Sequence, residues 1–314
     1  MRDEILVTGY IDPDLDSLAC TFAYTYFLNK TGERALSSIS GIHHEEAEHV
    51  LKEYNVGLEV KTYNPEDFEK IILVDASDQE AIDNRIDPNK VIEIIDHRRV
   101  NMADCFPNAK VQIEKVGAAA TLIAEKFVDK NVDFTKEFAT LIYGAIISNT
   151  LNFKANVTTD RDRKIAKILK DEFGFSDDFA HKMFLAKSDF SGDKAVKAVR
   201  GDFANFGGFD FGVKVGIGQI EMIGGEKLAM EKKEEIVKEL NSITKKKGLD
   251  IAFLSIVDLE ANQNVFVVPT KAGEDLLERI FKINTENHIA VRPGLIMRKE
   301  IVPLIKEELE KIKK

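Results

Sequence analysis

An α/β fold is what this 314-residue sequence predicts: an N-terminal doubly wound parallel sheet, then a smaller C-terminal α+β domain. Near-continuous apolar runs, Ile5-Leu6-Val7, Ile71-Ile72-Leu73-Val74 and Val91 to Ile95, end in polar residues and alternate with helix-periodic stretches. Such runs are strands buried on both faces, as in a parallel sheet covered by helices. The texture then changes. Beyond the polar, glycine-bearing segment Ser188–Asp193, strand candidates come in pairs: 202–206 with 209–222 around Gly207-Gly208, and 251–257 with 264–269. That pairing marks hairpins and a second domain.

Taken in order, Ile5–Val7 is the first strand and Ser17–Asn29 the first helix, closed by Gly32. Residues 34–40 suit a second strand. His43–Tyr54 is helical, with Ala47, Val50 and Leu51 on one face. Strands follow at 71–75, 91–97 and 111–113, then helices at 118–127, 136–148, 159–173 and 177–186. In the second half, 228–247 is a long charged helix, 274–281 a shorter one, and a last helix starts at Val302, just before Pro303. The expected limits are 1–187 for the first domain, 188–193 for a hinge and 194–314 for the second.

Hydrophobic residues make up 44% and charged residues 31%, enough apolar material for two ordinary cores. The net charge of −10 excludes a nucleic-acid scaffold, since no electrostatic footprint for phosphate backbones exists. An anionic substrate must therefore be met by a local basic cluster or by metals. No apolar run approaches membrane-spanning length. The N-terminus enters a strand within a few residues, without a secretion signal, and Cys20 and Cys105 are too few for a disulfide framework. Cytoplasm is the expected compartment.

Chemistry concentrates at the strand tips. Asp12, Asp14 and Asp16 crowd a helix start after the first strand, Asp75 ends a middle strand, and Asp96-His97 ends a later one. A single aspartate at a strand end is ordinarily a cap or turn former. Parallel strands, however, bring their carboxyl ends to one edge, where open α/β sheets bind ligands. Several carboxylates converging there repel strongly unless a cation neutralises them. Mixed Asp/His ligation suits Mn²⁺, Co²⁺ or Zn²⁺. A rival cluster, His43-His44-Glu45-Glu46-Ala47-Glu48-His49, misses the zinc-protease H-E-x-x-H spacing by one residue. Five residues apart on a helix, His44 and His49 splay by about 140°, so a solvated helix face is expected. Gly216-Ile217-Gly218 lacks a third glycine and a following helix, so it is read as a strand.

These residues, in this order, resemble the DHH phosphoesterase superfamily, in particular family II inorganic pyrophosphatases and exopolyphosphatase/Prune-like relatives. Gly9 to Ser17 is similar to the first family motif, GHxNPDxDS; Val74-Asp75 matches the second; Asp96-His97-Arg98 stands at the name-giving Asp-His-His. Ser148-Asn149-Thr150 resembles the fourth motif, and Arg298-Lys299 before Ile301-Val302-Pro303 resembles the pair that grips substrate phosphates. The resemblance implies hydrolysis of a phosphoanhydride, in pyrophosphate or short polyphosphate, at a two-metal site between two domains. It implies Mn²⁺ as the favoured cofactor, with Co²⁺ or Mg²⁺ possible, a small phosphate-containing substrate, and a homodimer.

Carried over residue by residue, Asp16, Asp75 and His97 hold one metal with Asn149 at a ligand position, while Asp14 and Asp75 hold the other. Asp96 orients His97, Arg98 clamps phosphate, and Arg298 and Lys299 bind substrate. Five positions depart from the family pattern: Tyr10 replaces a metal-binding histidine, Asp12 an asparagine, Asn149 an aspartate, Arg98 a histidine and Ala204 a phosphate-gripping lysine. Arg200 and Lys214 are the candidates to replace that lysine. Two rivals stay open: a weakened homologue that binds phosphate ligands without turnover, and a phosphodiesterase acting on short oligonucleotides or cyclic dinucleotides.

Overall fold

A computed structural model describes residues 2–98, 101–206 and 213–312. The chain divides into two compact units, Met1–Ala186 and Lys187–Lys314. In the first, β1 (Arg2–Thr8), α1 (Leu15–Lys30), β2 (Ala35–Ser38), α2 (Glu45–Glu53), β3 (Phe68–Val74), β4 (Val91–Asp96) and β5 (Lys110–Ile113) build the sheet and its first crossovers. Four helices follow: α3 (Ala119–Lys130), α4 (Lys136–Asn149), α5 (Asp160–Phe173) and α6 (Phe179–Ala186). All five strands are parallel, in the order β2-β1-β3-β4-β5. The chain therefore steps away from β1 in one direction and from β3 in the other. A crevice opens at the carboxyl ends of those two strands, the usual ligand position in a doubly wound sheet.

The helix α1 is buried along nearly its whole circumference, with every residue from Leu15 to Thr25 inside. It packs on α3 and α4 as well as on the sheet, so its sequence shows little amphipathic stripe. It begins two residues before the start predicted from periodicity. The Asp14 carboxylate accepts the Ser17 N–H at 3.0 Å and so caps the helix, drawing Asp16 into its first turn.

Gly9, between β1 and that cap, has no room for a side chain. A Cβ there would stand 2.0 Å from Ser17 Oγ and 3.1 Å from the Val74 carbonyl. Gly9→Ala is expected to push α1 off the strand tip and lower unit stability by about 1–3 kcal/mol. An unchanged melting temperature would contradict that close approach.

The second unit carries α7 (Lys194–Gly201), β6 (Phe203–Phe206), β7 (Val215–Met222), α8 (Gly225–Lys247), β8 (Ile251–Asp258) and β9 (Gln263–Val267). It is completed by α9 (Lys271–Phe281), β10 (Thr285–Glu286), β11 (Ile289–Pro293) and α10 (Arg298–Ile312). Its sheet runs β10-β11-β9-β8-β7-β6, with β7 and β8 parallel and the other pairs antiparallel. Side chains alternate across β8: Leu254 and Ile256 join Val199 and Leu240 in one core, while Phe253 joins Leu277 and Ile305 in the other. Thus α7 and α8 cover one face and α9 and α10 the opposite one.

Three points in this unit differ from the sequence reading or escape it. Residues 194–201 form α7, a helix that periodicity alone leaves unassigned because only Ala195 and Val199 are buried. The pairing of β6 with β7 is present, but the Gly207-Gly208 turn lies outside the described residues. The last helix begins at Arg298, not Val302, and contains Pro303. Proline's preference for a helix start placed the boundary too late. The correction puts Arg298 and Lys299 in the first helical turn. Among the described residues, no helix is long and apolar enough to cross a membrane.

Candidate metal centre

Asp16, Asp75 and His97 meet at the crevice, each offering a ligand atom within 4.8 Å of the others. Among the described residues this is the one cluster of at least three such groups. His97 Nε2 lies 3.5 Å from Asp75 Oδ1 and 3.8 Å from Asp16 Oδ2. Those separations are too long for hydrogen bonds. They match two ligands that each stand about 2 Å from one cation, which places them roughly 3–4 Å apart.

Each of the three side chains is fixed from behind. Asp16 is fully buried; its Oδ2 accepts Ala119 N–H and its Oδ1 accepts Ala120 N–H, both at 2.8 Å. The carboxylate thus rests on the N-terminus of α3, whose dipole favours its charge. Burial still pushes its pKa up to about 6; His97 and the two amides work against the rise, and Asp14 adds to it. Asp75 follows β3 and is tied to the sheet by its N–H to the Ile95 carbonyl at 2.8 Å. Its backbone sits in the left-handed region, φ 51°, which Asp tolerates better than most residues and which turns its carboxylate into the crevice.

Asp75 Oδ1 is buried and has no hydrogen-bond partner. Burial, followed by repulsion from Asp16 and Asp14, raises its pKa well above the usual range despite Arg98. A buried, unpaired carboxylate oxygen aimed at a neutral-capable imidazole is unfavourable until a cation fills the gap. The residues therefore fit a divalent metal.

His97 is oriented by its other nitrogen. Nδ1 lies 3.1 Å from the Val116 carbonyl, so it carries the proton and leaves the Nε2 lone pair facing the carboxylates. Asp96, expected to orient His97, does so through the backbone. That buried carboxylate reaches the backbone rather than the ring: it accepts the N–H groups of His97 at 2.6 Å and Arg98 at 3.2 Å, and a short bond from Ser77 Oγ. Asp96 shapes the loop, and Val116 sets the imidazole.

The remaining expected site residues divide. Asn149, the last residue of α4, donates from Nδ2 to Asp16 Oδ2 at 2.6 Å, so it sits on the cluster. Asp14 is the cap of α1 and lies outside the three-ligand cluster. Asp12 is turn chemistry, accepting the Ile42 N–H at 2.7 Å. Tyr10 is no ligand: its hydroxyl accepts the Asp14 N–H at 3.1 Å, and burial, then Asp14 and Asp75, raise its pKa and keep it a neutral phenol. The Arg98 guanidinium lies over the Tyr10 ring at 5.0 Å, with Nη2 3.9 Å from Asp75 Oδ2.

In the second unit, Arg298 is engaged. Its Nη1 donates to the Asp202 carbonyl at 2.8 Å and its Nη2 to Asp202 Oδ1 at 2.5 Å. Lys299 is exposed beside it. Ala204 lies in β6 opposite Ile217, and the Arg200 fork is taken by Glu239 at 2.6 and 2.7 Å, so Arg200 does not stand in for the missing lysine. His44 is the N-cap residue of α2, and His49 joins no cluster of three such groups.

Sequence reasoning missed the supports: Ser77, Val116, Ala119, Ala120 and Asp162, which accepts the Gly117 N–H at 2.9 and 3.0 Å and fixes the start of α3. The run Gly117-Ala118-Ala119-Ala120 was the available signal, because small residues at a helix start permit close approach of a buried anion.

Comparison with known proteins accounts for this combination. Residues 4–146 match the DHH family, N-terminal domain, and residues 181–308 match the DHHA2 domain. The manganese-dependent inorganic pyrophosphatase of Methanothrix thermoacetophila is 32% identical over 99% of this chain and 100% of its own. The chain belongs to the DHH family. A second DHH relative, the manganese-dependent inorganic pyrophosphatase of Methanocaldococcus jannaschii, is 33% identical over 95% of this chain and 96% of its own. The crystal structure of a Methanococcus jannaschii protein provisionally assigned to the family II inorganic pyrophosphatases superposes with a TM-score of 0.73. It is 30% identical and covers 98% of this chain and 99% of its own. An exopolyphosphatase-related protein from Bacteroides fragilis, TM-score 0.53 and 15% identical over 99% of this chain and 93% of its own, shares the fold.

Proposed function

We propose that this DHH protein hydrolyses the phosphoanhydride bond of inorganic pyrophosphate, with Mn²⁺ as its metal. The observation that carries the reading is the buried Asp75 Oδ1 between Asp16 and His97, a carboxylate oxygen without a hydrogen-bond donor that a cation would satisfy. Manganese-dependent inorganic pyrophosphatases at 32% and 33% identity over nearly the whole chain support the substrate and the metal. When bound, the metal supplies Lewis acidity toward a phosphoryl oxygen and makes water a stronger nucleophile.

The protein's own residues do the rest. Asp16, Asp75 and His97 hold the metal, and the sheet tips and the N-terminus of α3 keep them rigid. Asn149 holds Asp16 in place. Arg98 presents charge toward the same centre. Arg298 and Lys299 bind the substrate's phosphate, and for Arg298 this requires phosphate to displace Asp202. A second copy of the chain would pair along the edge strand β5, where Val111 is 45% exposed. A monomeric mass by light scattering would remove that assembly.

Release of inorganic phosphate from pyrophosphate and tripolyphosphate, with Mn²⁺, Co²⁺ and Mg²⁺ in turn, tests the reading. The expected order places Mn²⁺ first, and no release at high enzyme concentration would sink it. Tyr10 favours a second reading, binding of phosphate ligands without turnover, because it is no ligand where the family carries one. The same assay beside a pyrophosphate-binding titration separates the two. Arg298→Ala is expected to raise KM for pyrophosphate about 10–100-fold, the worth of one charge-assisted hydrogen-bond pair, with manganese content unchanged. Parallel loss of metal and turnover would make Arg298 structural.

A further inference from the structure

Resting on that reading of the centre, we propose that this chain binds one divalent metal ion, at Asp16, Asp75 and His97, and that the Arg98 guanidinium takes the place of a second. The argument begins with the two oxygens of Asp75. Oδ1 faces His97 at 3.5 Å and has no hydrogen-bond partner; Oδ2 faces Arg98 Nη2 at 3.9 Å. A carboxylate bridging two metals presents each oxygen to a cation. Here one oxygen faces the His97 imidazole and the other faces a cation already built into the chain.

The surroundings of Oδ2 do not fit a second metal. Tyr10 supplies no ligand, since its hydroxyl accepts the Asp14 N–H and its ring carries the guanidinium at 5.0 Å. Asp14, which repels Asp75, has its Oδ1 used by the Ser17 N–H, and Asp96 is taken up by Ser77 Oγ and the His97 and Arg98 N–H groups. A guanidinium has no lone pair to offer a metal and repels one. Its position over the aromatic face, next to a carboxylate, is stabilised by both.

Charge points the same way: the Arg98 guanidinium faces Asp75 Oδ2, so part of the negative charge of the centre is already offset within the chain. Asn149 fits the smaller requirement. A carboxylate in its place, 2.6 Å from Asp16 Oδ2, would need a further cation, whereas its amide nitrogen satisfies Asp16 by donating a proton.

The test counts metal. The full chain is stripped with EDTA, reloaded with excess MnCl₂, desalted, and its manganese measured by atomic emission, with an EPR spectrum of the same sample. One Mn²⁺ per chain and the spectrum of an isolated ion are expected. Two per chain, an exchange-coupled spectrum, or no bound manganese overturns the proposal. The double variant Tyr10→His/Arg98→His is expected to load two ions and show the coupled spectrum. One ion in that variant, shown folded by circular dichroism, would refute the exclusion by Tyr10 and Arg98. The count on the unaltered protein stands whether or not the variant folds. Pyrophosphate turnover is scored separately: one ion without turnover sinks the hydrolase reading alone, and turnover with two ions sinks the single-ion proposal alone.

Discussion

Asp75→Asn is expected to abolish manganese uptake, lower pyrophosphate turnover about 10³-fold or more, and raise the melting temperature of the metal-free protein. The turnover loss follows from removing a metal whose stabilisation of charge amounts to several kcal/mol. The stability gain has a different source. Asp75 is buried, its Oδ1 is unpaired, and Asp16 and Asp14 repel it, all of which raise its pKa well above the usual range. A neutral amide of the same size relieves that burial of charge. Asn also tolerates the left-handed backbone at φ 51°, so the substitution adds no strain of its own. Stoichiometric Mn²⁺ in the variant, or a metal-free melting temperature below that of the unaltered protein, would contradict the role assigned to Asp75.

Manganese should raise the melting temperature by about 5–10 °C at pH 7, when present at roughly 100 times its dissociation constant, and by much less at pH 5. The Asp16 carboxyl is raised from its usual 3.8 to about 6 in the folded protein. An acid whose pKa is raised on folding favours the folded state below its unfolded value. That contribution is lost as pH climbs through the window from 3.8 to about 6. The metal-free protein is therefore weaker at pH 7 than at pH 5 on account of this group. Metal competes with the same proton, so its binding weakens about tenfold between pH 7 and pH 5.

Asp83 and Glu239 are shifted the other way, held down chiefly by hydrogen bonds from Arg85 and Arg200, and they oppose this trend. The difference between the unaltered protein and Asp16→Asn cancels their contribution and reports Asp16 together with the part of the Asp75 shift that Asp16 causes. A pH-independent difference in the metal-free state would rule out the linkage.

The site was legible where chemistry and topology leave marks in a linear pattern. Asp16, Asp75 and His97 stand at the ends of apolar runs, and parallel strands bring such ends to one edge. The groups that position them were not legible. Val116 and the two alanines act through backbone atoms, which every residue carries, so their identity advertises nothing. Asp96 was legible as the neighbour that orients His97, but not the atoms it uses, because its bonds go to the loop's N–H groups. The helix α7 escaped notice because eight residues with two buried positions are too short for a period to stand out from the flanking polar segment.

The sequence by itself determined the doubly wound first half, the mixed second half and the three candidate ligands at the crevice. Those features depend on residue type and on period, both of which are local. Tertiary structure alone decided what Arg98, Tyr10 and Arg298 do. Arg98 neutralises Asp75 over the Tyr10 ring, and Arg298 is held by Asp202, 96 residues away in the chain. A long cationic side chain can reach any of several partners. Which one it meets is set by packing between segments distant in sequence, and no spacing along the chain records that choice.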